Sequence, residues 1–266
     1  MRVVVAGLGK SGTTAVLYAI KSAMPDGTQV LFEPRSYVPL DSPNVAAKVL
    51  LHPKVAMDYA FYRQFDRIVL LVRDPRDIQV SRVLYRAYGA RALHADPGKL
   101  REYVDLLRAK ESQPRSVSLT RINTLFVSQG GSALHSPVGV ARMLEQAMAF
   151  HDAFSQSFVF RYEDMVAGRF DTLAQYLLLP VDAMRPEVPD AYGRVVRSRR
   201  AGNWRDWFCP EDVELFRPVL SPYMSRYGYD DDWRLNPDPT IRPEECSEYV
   251  LRIVRERLGA DAVAGI

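Results

Sequence analysis

The first side chains in the sequence that could do chemistry form the run Lys10, Ser11, Gly12, Thr13 and Thr14. This run lies between apolar stretches at residues 3–6 and 13–23, which predict a strand and a helix. The first turn of a helix leaves backbone N–H groups without intrahelical partners, and the helix dipole is positive there, so such a turn binds anions. Because the Lys10 ammonium adds a point charge, the pattern predicts a site for a phosphate-like anion.

Two other interpretations fit the same stretch. Residues 7–12 spell G-x-G-x-x-G, the dinucleotide fingerprint, and Glu33 ends the next predicted strand, where an acid would hold a ribose hydroxyl. Lys10 argues against this interpretation, because small or apolar residues are usual where that loop meets a pyrophosphate. Residues 9–11 also spell the end of a Walker A loop, but the position of its first glycine is held by Val4, inside the predicted strand. A loop this short suits two phosphate-like groups better than three.

A second group of polar residues begins at Arg73, which follows an apolar run at residues 67–72. Asp74 and the proline after it are typical of a helix start, so a helix is predicted over residues 75–88. Ser81 lies in the second turn of that helix, where it and the strand-end arginine can converge on one dianion. The alternative is that Arg73 caps a carboxylate and that Ser81 faces solvent.

Strands and helices alternate along the chain and must position these residues. Strands are predicted at residues 3–6, 29–32, 46–51, 67–72 and 158–161. Helices are predicted at residues 13–23, 59–64, 75–88, 99–110, 139–154, 171–178, 211–227 and 243–258. Continuous apolar strands separated by helices indicate a parallel sheet covered on both faces. We therefore predict an α/β fold, a three-layer parallel sheet with flanking helices, in a single domain over residues 1–266 with a mostly helical insertion at about 90–137.

Composition excludes several classes of protein. Apolar residues at 47% and charged residues at 25% are ordinary for a globular protein and disfavour disorder, collagen and coiled coil. A net charge of +3 is too small to indicate nucleic-acid binding. Cys209 and Cys246 are the only cysteines, so neither a disulfide framework nor a metal cluster is expected, and a reducing compartment is favoured. No run approaches 18 apolar residues, so no membrane span is predicted.

Four segments together resemble the family of sulfotransferases whose donor is 3′-phosphoadenosine 5′-phosphosulfate. The loop at residues 10–14 matches the family's K-S-G-T-T, and "LVRDPRDIQVSRVLY" at residues 71–85 is similar to its 3′-phosphate segment, with Arg73 and Ser81 in place. "FRYEDM" is similar to the family's Y-E-D-M, in which the tyrosine, here Tyr162, lies near the nucleotide. The segments follow one another in family order.

The fourth segment is "RSRRAGNWRDWF" at residues 197–208, which is similar to the family's R-K-G-x-x-G-D-W-K. Gly202 stands on the second glycine, whereas Ser198 and Arg199 replace the Lys-Gly pair. The guanidinium that reaches the 3′-phosphate is therefore left open among Arg197, Arg199 and Arg200. A solvated basic surface is the alternative for this segment.

The resemblance implies a P-loop nucleotide-kinase-like sulfotransferase fold and transfer of a sulfuryl group by in-line displacement with a general base. The acceptor would be a hydroxyl or amine of a small molecule, carbohydrate or lipid, and 3′-phosphoadenosine 5′-phosphate would be the product, with no metal. Lys10 would lie near the bridging oxygen, and residues 11–14 would hold the 5′-phosphate. Because the chain lacks the N-terminal anchor of Golgi relatives, a cytoplasmic location is expected. Rival classes are a P-loop nucleotide or small-molecule kinase, an NAD-dependent Rossmann oxidoreductase and a non-catalytic nucleotide-binding module.

Two residues are candidates for the general base. Family members that act on phenols and steroids use the histidine of K-T-H, but this chain has Lys48-Val-Leu there, and His52 follows two positions later. Several carbohydrate-modifying members use a glutamate that Glu33 matches, at the end of a predicted strand. The alternatives are a salt bridge of Glu33 with Arg35 or another arginine, and a helix-entry role for His52. Lys48 is expected to assist at the sulfonate, as the corresponding family lysine does.

The acceptor pocket is expected to form largely from the insertion at residues 90–137. The aromatic residues predicted to line it are Tyr37, Tyr85, Tyr88 and Phe126. The alternative is that these side chains belong to the core. The histidines in or beside the insertion are expected to be structural, namely His94, His135 and His151. The dimerisation pattern of cytosolic relatives is incomplete here, so no oligomeric state is predicted.

Overall fold

The computed structural model describes residues 1–34, 39–55, 58–132, 136–259, 263 and 266. Two compact units make up the chain. Met1–Arg73 and Arg142–Gly193 form the first, which we call the sheet unit. Asp74–Ala141 and Arg194–Ile266 form the second, which we call the helical unit.

The regular elements follow in chain order. The strands are β1 (Arg2–Leu8), β2 (Gln29–Phe32), β3 (Val45–Leu51), β4 (Arg67–Val72) and β5 (Phe158–Arg161). The first helices are α1 (Thr13–Ala23), α2 (Tyr59–Tyr62), α3 (Pro75–Tyr85), α4 (Arg91–His94), α5 (Pro97–Ser112) and α6 (Leu119–Ser128). The others are α7 (Pro137–Ala153), α8 (Tyr162–Val166), α9 (Asp171–Leu177), α10 (Trp204–Trp207), α11 (Pro210–Arg226) and α12 (Ser247–Leu258).

All the strands belong to one parallel sheet in the sheet unit, in the order β2-β3-β1-β4-β5. The central strand β1 is buried because it has a hydrogen-bonded neighbour on each side and is apolar on both faces. Val3 and Val5 point to one face, where they share a core with Val16, Leu17 and Ile20 of α1. The α/β fold with a parallel sheet and flanking helices is thus as predicted.

The helical unit is built around α3. This helix is buried over nearly its whole length, from Pro75 to Ser81 and again at Val83 and Leu84. A helix that is covered on every side needs several partners, and α3 packs against α6, α10, α11 and α12. Ser81 is therefore a buried residue rather than one that faces solvent.

The structure corrects several predicted boundaries. The predicted helix at residues 75–88 ends as an α-helix at Tyr85 and continues as a 3-10 turn over Arg86–Gly89. The predicted helix at 243–258 is broken at Cys246, between a 3-10 turn at Pro243–Glu245 and α12.

Helix α6 was not predicted, because polar residues dominate its surroundings. Its signals are a Ser118 N-cap, whose hydroxyl accepts from the Arg121 N–H at 3.0 Å, and buried Leu119, Ile122 and Phe126 on one face. Together with α4 and α5 it fills most of the predicted insertion at residues 90–137.

Gly12, the N-cap of α1, allows one test of the fold. Its φ is +96°, and a Cβ there would lie 2.6 Å from Cδ2 of Tyr162. Gly27 has a φ of +78° with open space around it, so it is the matched control. We expect Gly27→Ala to cost about 1 kcal/mol of unfolding free energy from the left-handed backbone alone. Gly12→Ala should cost about 1–3 kcal/mol more, because Tyr162 must move. Urea denaturation measures both, and equal losses would contradict the close packing.

Candidate active site

The carboxyl ends of the strands in the sheet unit bring the predicted residues to one edge of the sheet. Lys10 follows β1, Glu33 follows β2, Lys48 lies in β3, Arg73 follows β4, and Tyr162 follows β5. Because neighbouring strands are parallel, these ends lie side by side, and ligands of open parallel sheets bind at this edge.

The loop between β1 and α1 presents backbone N–H groups at this edge. Gly12 supplies no side-chain acceptor at the N-cap, and the first turn of α1 contains no acidic residue, so the positive helix end is not neutralised by the helix itself. Lys10 is held at a φ of +74°, a strained conformation for a residue with a side chain. Loop strain of this kind clusters at ligand-binding sites, which agrees with an anion site here.

Ser11 has a different place from the one predicted. Both its backbone N–H and its hydroxyl donate to the carbonyl of Leu8, at 3.1 and 2.7 Å. These bonds close the loop and use the two Ser11 donors inside it. The amides of Gly12, Thr13 and Thr14 then remain at the helix start, where an α-helix has no internal acceptors for them.

Lys48 is buried at the centre of a polar network. Its ammonium donates to Glu33 Oε1 at 2.5 Å and to the Thr14 hydroxyl oxygen at 3.0 Å, and it lies 4.0 Å from the centre of the Phe32 ring. The Lys48 side chain is only 4% exposed, whereas that of Glu33 is 39% exposed. Because the Thr14 oxygen accepts from Lys48, the hydroxyl can still donate its own proton to a second partner.

Glu33 is therefore ion-paired, but with a different partner from the arginine considered in the sequence. Arg35 lies outside the described residues. The backbone of Glu33 has a φ of +54°, and its N–H donates to the Lys48 carbonyl at 2.9 Å. Both side chain and backbone thus fix Glu33 against β3, with the carboxylate partly open to solvent.

Arg73 supports the loop directly. Its Nη1 donates to the Lys10 carbonyl at 3.0 Å, and its guanidinium stacks over the Tyr162 ring at 3.9 Å. The Tyr162 ring also borders Gly12, so loop, arginine and tyrosine form one cluster. At least one donor of the Arg73 guanidinium is therefore used to hold the backbone of the loop.

The remaining candidate base, His52, follows β3, whose last residue Leu51 pairs with Leu8 at the start of the loop. Its Nδ1 accepts from the Lys54 N–H at 3.1 Å, which is a turn-forming contact. His52 therefore lies at the same edge of the sheet as Glu33, with a structural role already visible.

The predicted acceptor-pocket residues are mostly engaged in packing. Phe126 is buried in the helical unit, with the Arg86 guanidinium 4.0 Å above its ring, and it also lines a cavity of about 350 Å³ bordered by residues 89–93 and 129–132. Tyr85 and Tyr88 stack on each other at 5.7 Å. His94 contacts the Ala87 carbonyl at 2.8 Å. Tyr37 and His135 lie outside the described residues, and His151 is half-buried on α7.

The three arginines of the fourth segment have different surroundings within the helical unit. Arg197 is buried, with Nη1 3.9 Å from Glu245 Oε2, and the half-exposed Arg200 lies 2.5 Å from the same oxygen. Arg242 also pairs with Glu245. Burial raises the pKa of Glu245, but hydrogen bonds from Arg200 and Arg242 outweigh it, and the pKa is lowered overall. Glu245 is thus a carboxylate that neutralises much of this cluster.

Arg199 differs from its two neighbours. Its side chain is exposed and forms no hydrogen bond or ion pair with any residue that the structure describes. Of the three arginines it is the one whose guanidinium is not shared with Glu245. Sequence reasoning missed this division, because Glu245 lies 45 residues beyond Arg200 and carries no motif.

No cluster of three or more His, Cys, Asp or Glu side chains is placed to hold a metal ion in the described ranges. None of the helices in the described part of the chain combines the length and apolar character needed to cross a bilayer.

The parallel sheet, the loop and helix that follow its central strand, and the flanking helices together make up the architecture that was compared with solved structures. The solved structure of mouse sulfotransferase SULT7A1 complexed with PAP is similar, with a TM-score of 0.50 and 16% identity, covering 84% of each chain. The chain thus has a sulfotransferase fold, and the predicted fold class is confirmed. The sequence matches no protein-family model and no curated protein.

The Lys48–Glu33 pair gives a test of the site's electrostatics. Glu33→Gln leaves the buried ammonium without its carboxylate, so we expect a loss of about 2 kcal/mol, between the values for exposed and buried pairs. Adding Lys48→Met should recover part of that loss, because the buried charge is then removed as well. Urea unfolding of the single and double variants measures this.

An exposed pair in the same unit provides the control. Arg169 lies 2.6 Å from Asp164 and is 64% exposed, so Arg169→Gln should cost less than about 1 kcal/mol. If the double variant at positions 33 and 48 is less stable than Glu33→Gln alone, the ammonium is not the destabilising group.

Proposed function

We propose that this protein transfers a sulfuryl group from 3′-phosphoadenosine 5′-phosphosulfate to a hydroxyl or amine of an acceptor. The observation that carries the proposal is the arrangement at the loop after β1. Unneutralised helix amides, Lys10 and the buried Lys48 ammonium lie there with a partly exposed carboxylate, Glu33. The fold shared with SULT7A1, which was solved with PAP, and the four sequence segments support the same assignment.

The residues present fit the donor. Its 5′-phosphosulfate is an anion of two adjoining groups, and the amides of residues 12–14 and the Thr14 hydroxyl can donate to it. When bound, the donor supplies an activated sulfuryl group that leaves the nucleotide by in-line displacement. Lys10 is proposed to stabilise negative charge on the oxygen that the nucleotide retains.

Glu33 is the proton acceptor that we favour. The Lys48 contact fixes its orientation, and its exposed fraction leaves the carboxylate accessible to an acceptor hydroxyl. Lys48 in turn is held for contact with the nonreacting sulfonate oxygens, because its side chain already bridges Glu33 and Thr14. His52 remains the second candidate, since it ends the neighbouring strand.

A P-loop kinase is the rival that the structure disfavours most directly. The sequence offers Asp74 as the strand-end acid for a magnesium ion. In the helical unit Asp74 accepts from the Arg76 guanidinium at 2.8 Å and caps α3 through the Arg76 N–H at 2.9 Å. Its carboxylate is thus committed to a buried ion pair.

The proposal extends to surroundings and acceptor. A cytoplasmic location is supported by Cys209 and Cys246, which are both buried free thiols, as a reducing compartment allows. A small molecule, carbohydrate or lipid remains the acceptor class. Screening such compounds for the mass gain of a sulfuryl group would identify it.

Nucleotide binding distinguishes the proposed function from its rivals. We expect 3′-phosphoadenosine 5′-phosphate to raise the melting temperature without magnesium, because it would bind the folded state at anion sites that need no metal. ATP with magnesium and NAD should have little effect. A thermal-shift panel at equal ligand concentrations measures this, and stabilisation by ATP with magnesium alone would favour a kinase instead.

Turnover of the single variants tests the catalytic roles. Lys10→Ala should lower the turnover number by at least about a hundredfold, because charge on the leaving oxygen is no longer compensated. Glu33→Gln should lower it by about a hundredfold or more with donor affinity nearly unchanged, as expected for a general base. His52→Ala is the matched comparison, and a larger loss there than in Glu33→Gln would transfer the role to His52.

A further inference from the structure

Asp77 is a completely buried carboxylate in the helical unit, and it binds two backbone amides of a distant segment. Its Oδ2 accepts from the Gly202 N–H at 2.7 Å, and its Oδ1 accepts from the Trp204 N–H at 3.0 Å. Charge-assisted bonds of this kind are stronger than neutral ones and fix direction as well as distance. Asp77 therefore fastens the segment at residues 202–204 to helix α3.

Asp77 holds the segment at residues 202–204 on the face of α3 that also carries Ser81. Asp77 and Ser81 are four residues apart and so share one face of the helix. Gly202 has a φ of +77°, which turns the chain in a way that favours glycine. The Trp204 ring packs 4.1 Å from the Arg76 guanidinium on the same helix, which fixes the segment a second time.

The same segment carries the arginines. Arg199 lies three residues before Gly202 and is exposed, whereas Arg197 and Arg200 pair with Glu245. The Arg199 guanidinium is thus accessible to an anion from solvent. The attachment of Gly202 to Asp77 limits the positions that this side chain can reach. The segment supplies a guanidinium, and the helix to which it is attached supplies the Ser81 hydroxyl. These two kinds of donor bind phosphate dianions well.

We infer that Asp77 is a positioning residue for recognition of the nucleotide 3′-phosphate, and that Arg199 is the arginine it positions. This inference rests on the proposed function, because the 3′-phosphate is part of the proposed donor. Asp77 itself carries no contact with the nucleotide. It acts by holding the arginine segment on the helix face of Ser81.

The test compares two nucleotides that differ only in the 3′-phosphate, namely 3′-phosphoadenosine 5′-phosphate and adenosine 5′-phosphate. Titration calorimetry of the full chain gives both dissociation constants. The wild-type protein should prefer the 3′-phosphorylated nucleotide by at least about tenfold, as charged hydrogen bonds would provide. Asp77→Asn replaces one acceptor oxygen by an NH₂ group, so the preference should fall to within about threefold. Affinity for adenosine 5′-phosphate should stay nearly unchanged.

Asp212 provides the matched control. It is equally buried in the same unit and accepts from the N–H groups of Leu119, Thr120 and Cys209, none of which lies in the stretch from Arg197 to Trp204. Asp212→Asn should lower the melting temperature and keep the wild-type preference. If both variants lose the preference together, the effect of Asp77 is general destabilisation and the inference is overturned.

The remaining outcomes are also decisive. A preference that survives Asp77→Asn overturns the role of Asp77 and leaves the proposed function standing. A wild-type protein that binds both nucleotides equally contradicts the proposed function itself. If the Asp77→Asn variant does not fold, the same measurement is made on the Asp77→Glu variant. That variant keeps the charge but displaces both carboxylate oxygens by one methylene. Lost preference in that variant supports the inference, and unchanged preference overturns it.

Discussion

One buried ammonium organises the sheet unit at the place where function is proposed. Lys48 comes from the interior of β3, where a charge without a partner would be very costly. Glu33 and Thr14 supply the partners, one from the end of β2 and one from the first turn of α1. The same contacts that make the buried charge tolerable therefore join two strands to the first turn of α1. A site assembled in this way is in place before any ligand binds, because the fold itself requires the contacts.

The loop after β1 depends on a second constraint, the absence of side chains where the backbone must turn. Gly12 packs against the Tyr162 ring. The Arg73 guanidinium stacks on the same ring and donates a hydrogen bond to the Lys10 carbonyl. Three strand ends, those of β1, β4 and β5, thus share one packed cluster, and a shift in any of them reaches the loop. The predicted anion ligand Arg73 is at the same time a structural support, so loss of that side chain affects the loop as well as any phosphate contact.

The helical unit handles its positive charge in a different way. Glu245 neutralises much of the charge of Arg197, Arg200 and Arg242, and Asp77 accepts hydrogen bonds from two backbone amides. The net effect is to leave one guanidinium, that of Arg199, directed away from the internal ion pairs. Selectivity for an anion in such a cluster comes from the arrangement of carboxylates as much as from the number of arginines.

The amino-acid sequence by itself determined the strands, their parallel pairing, the loop at residues 10–14 and the family resemblance, because these depend on local apolar runs and short motifs. It also predicted Glu33 and Lys48 as site residues, although not that they bind each other. Helix α6 was missed because its surroundings are polar, although its N-cap serine and apolar face are present in the sequence. The Lys48 network, the division of the arginines by Glu245 and the clamp at Asp77 were decided by tertiary structure alone. Their partners are 15 to 127 residues apart, and hydrogen bonds over such separations exist only when packing brings the elements together.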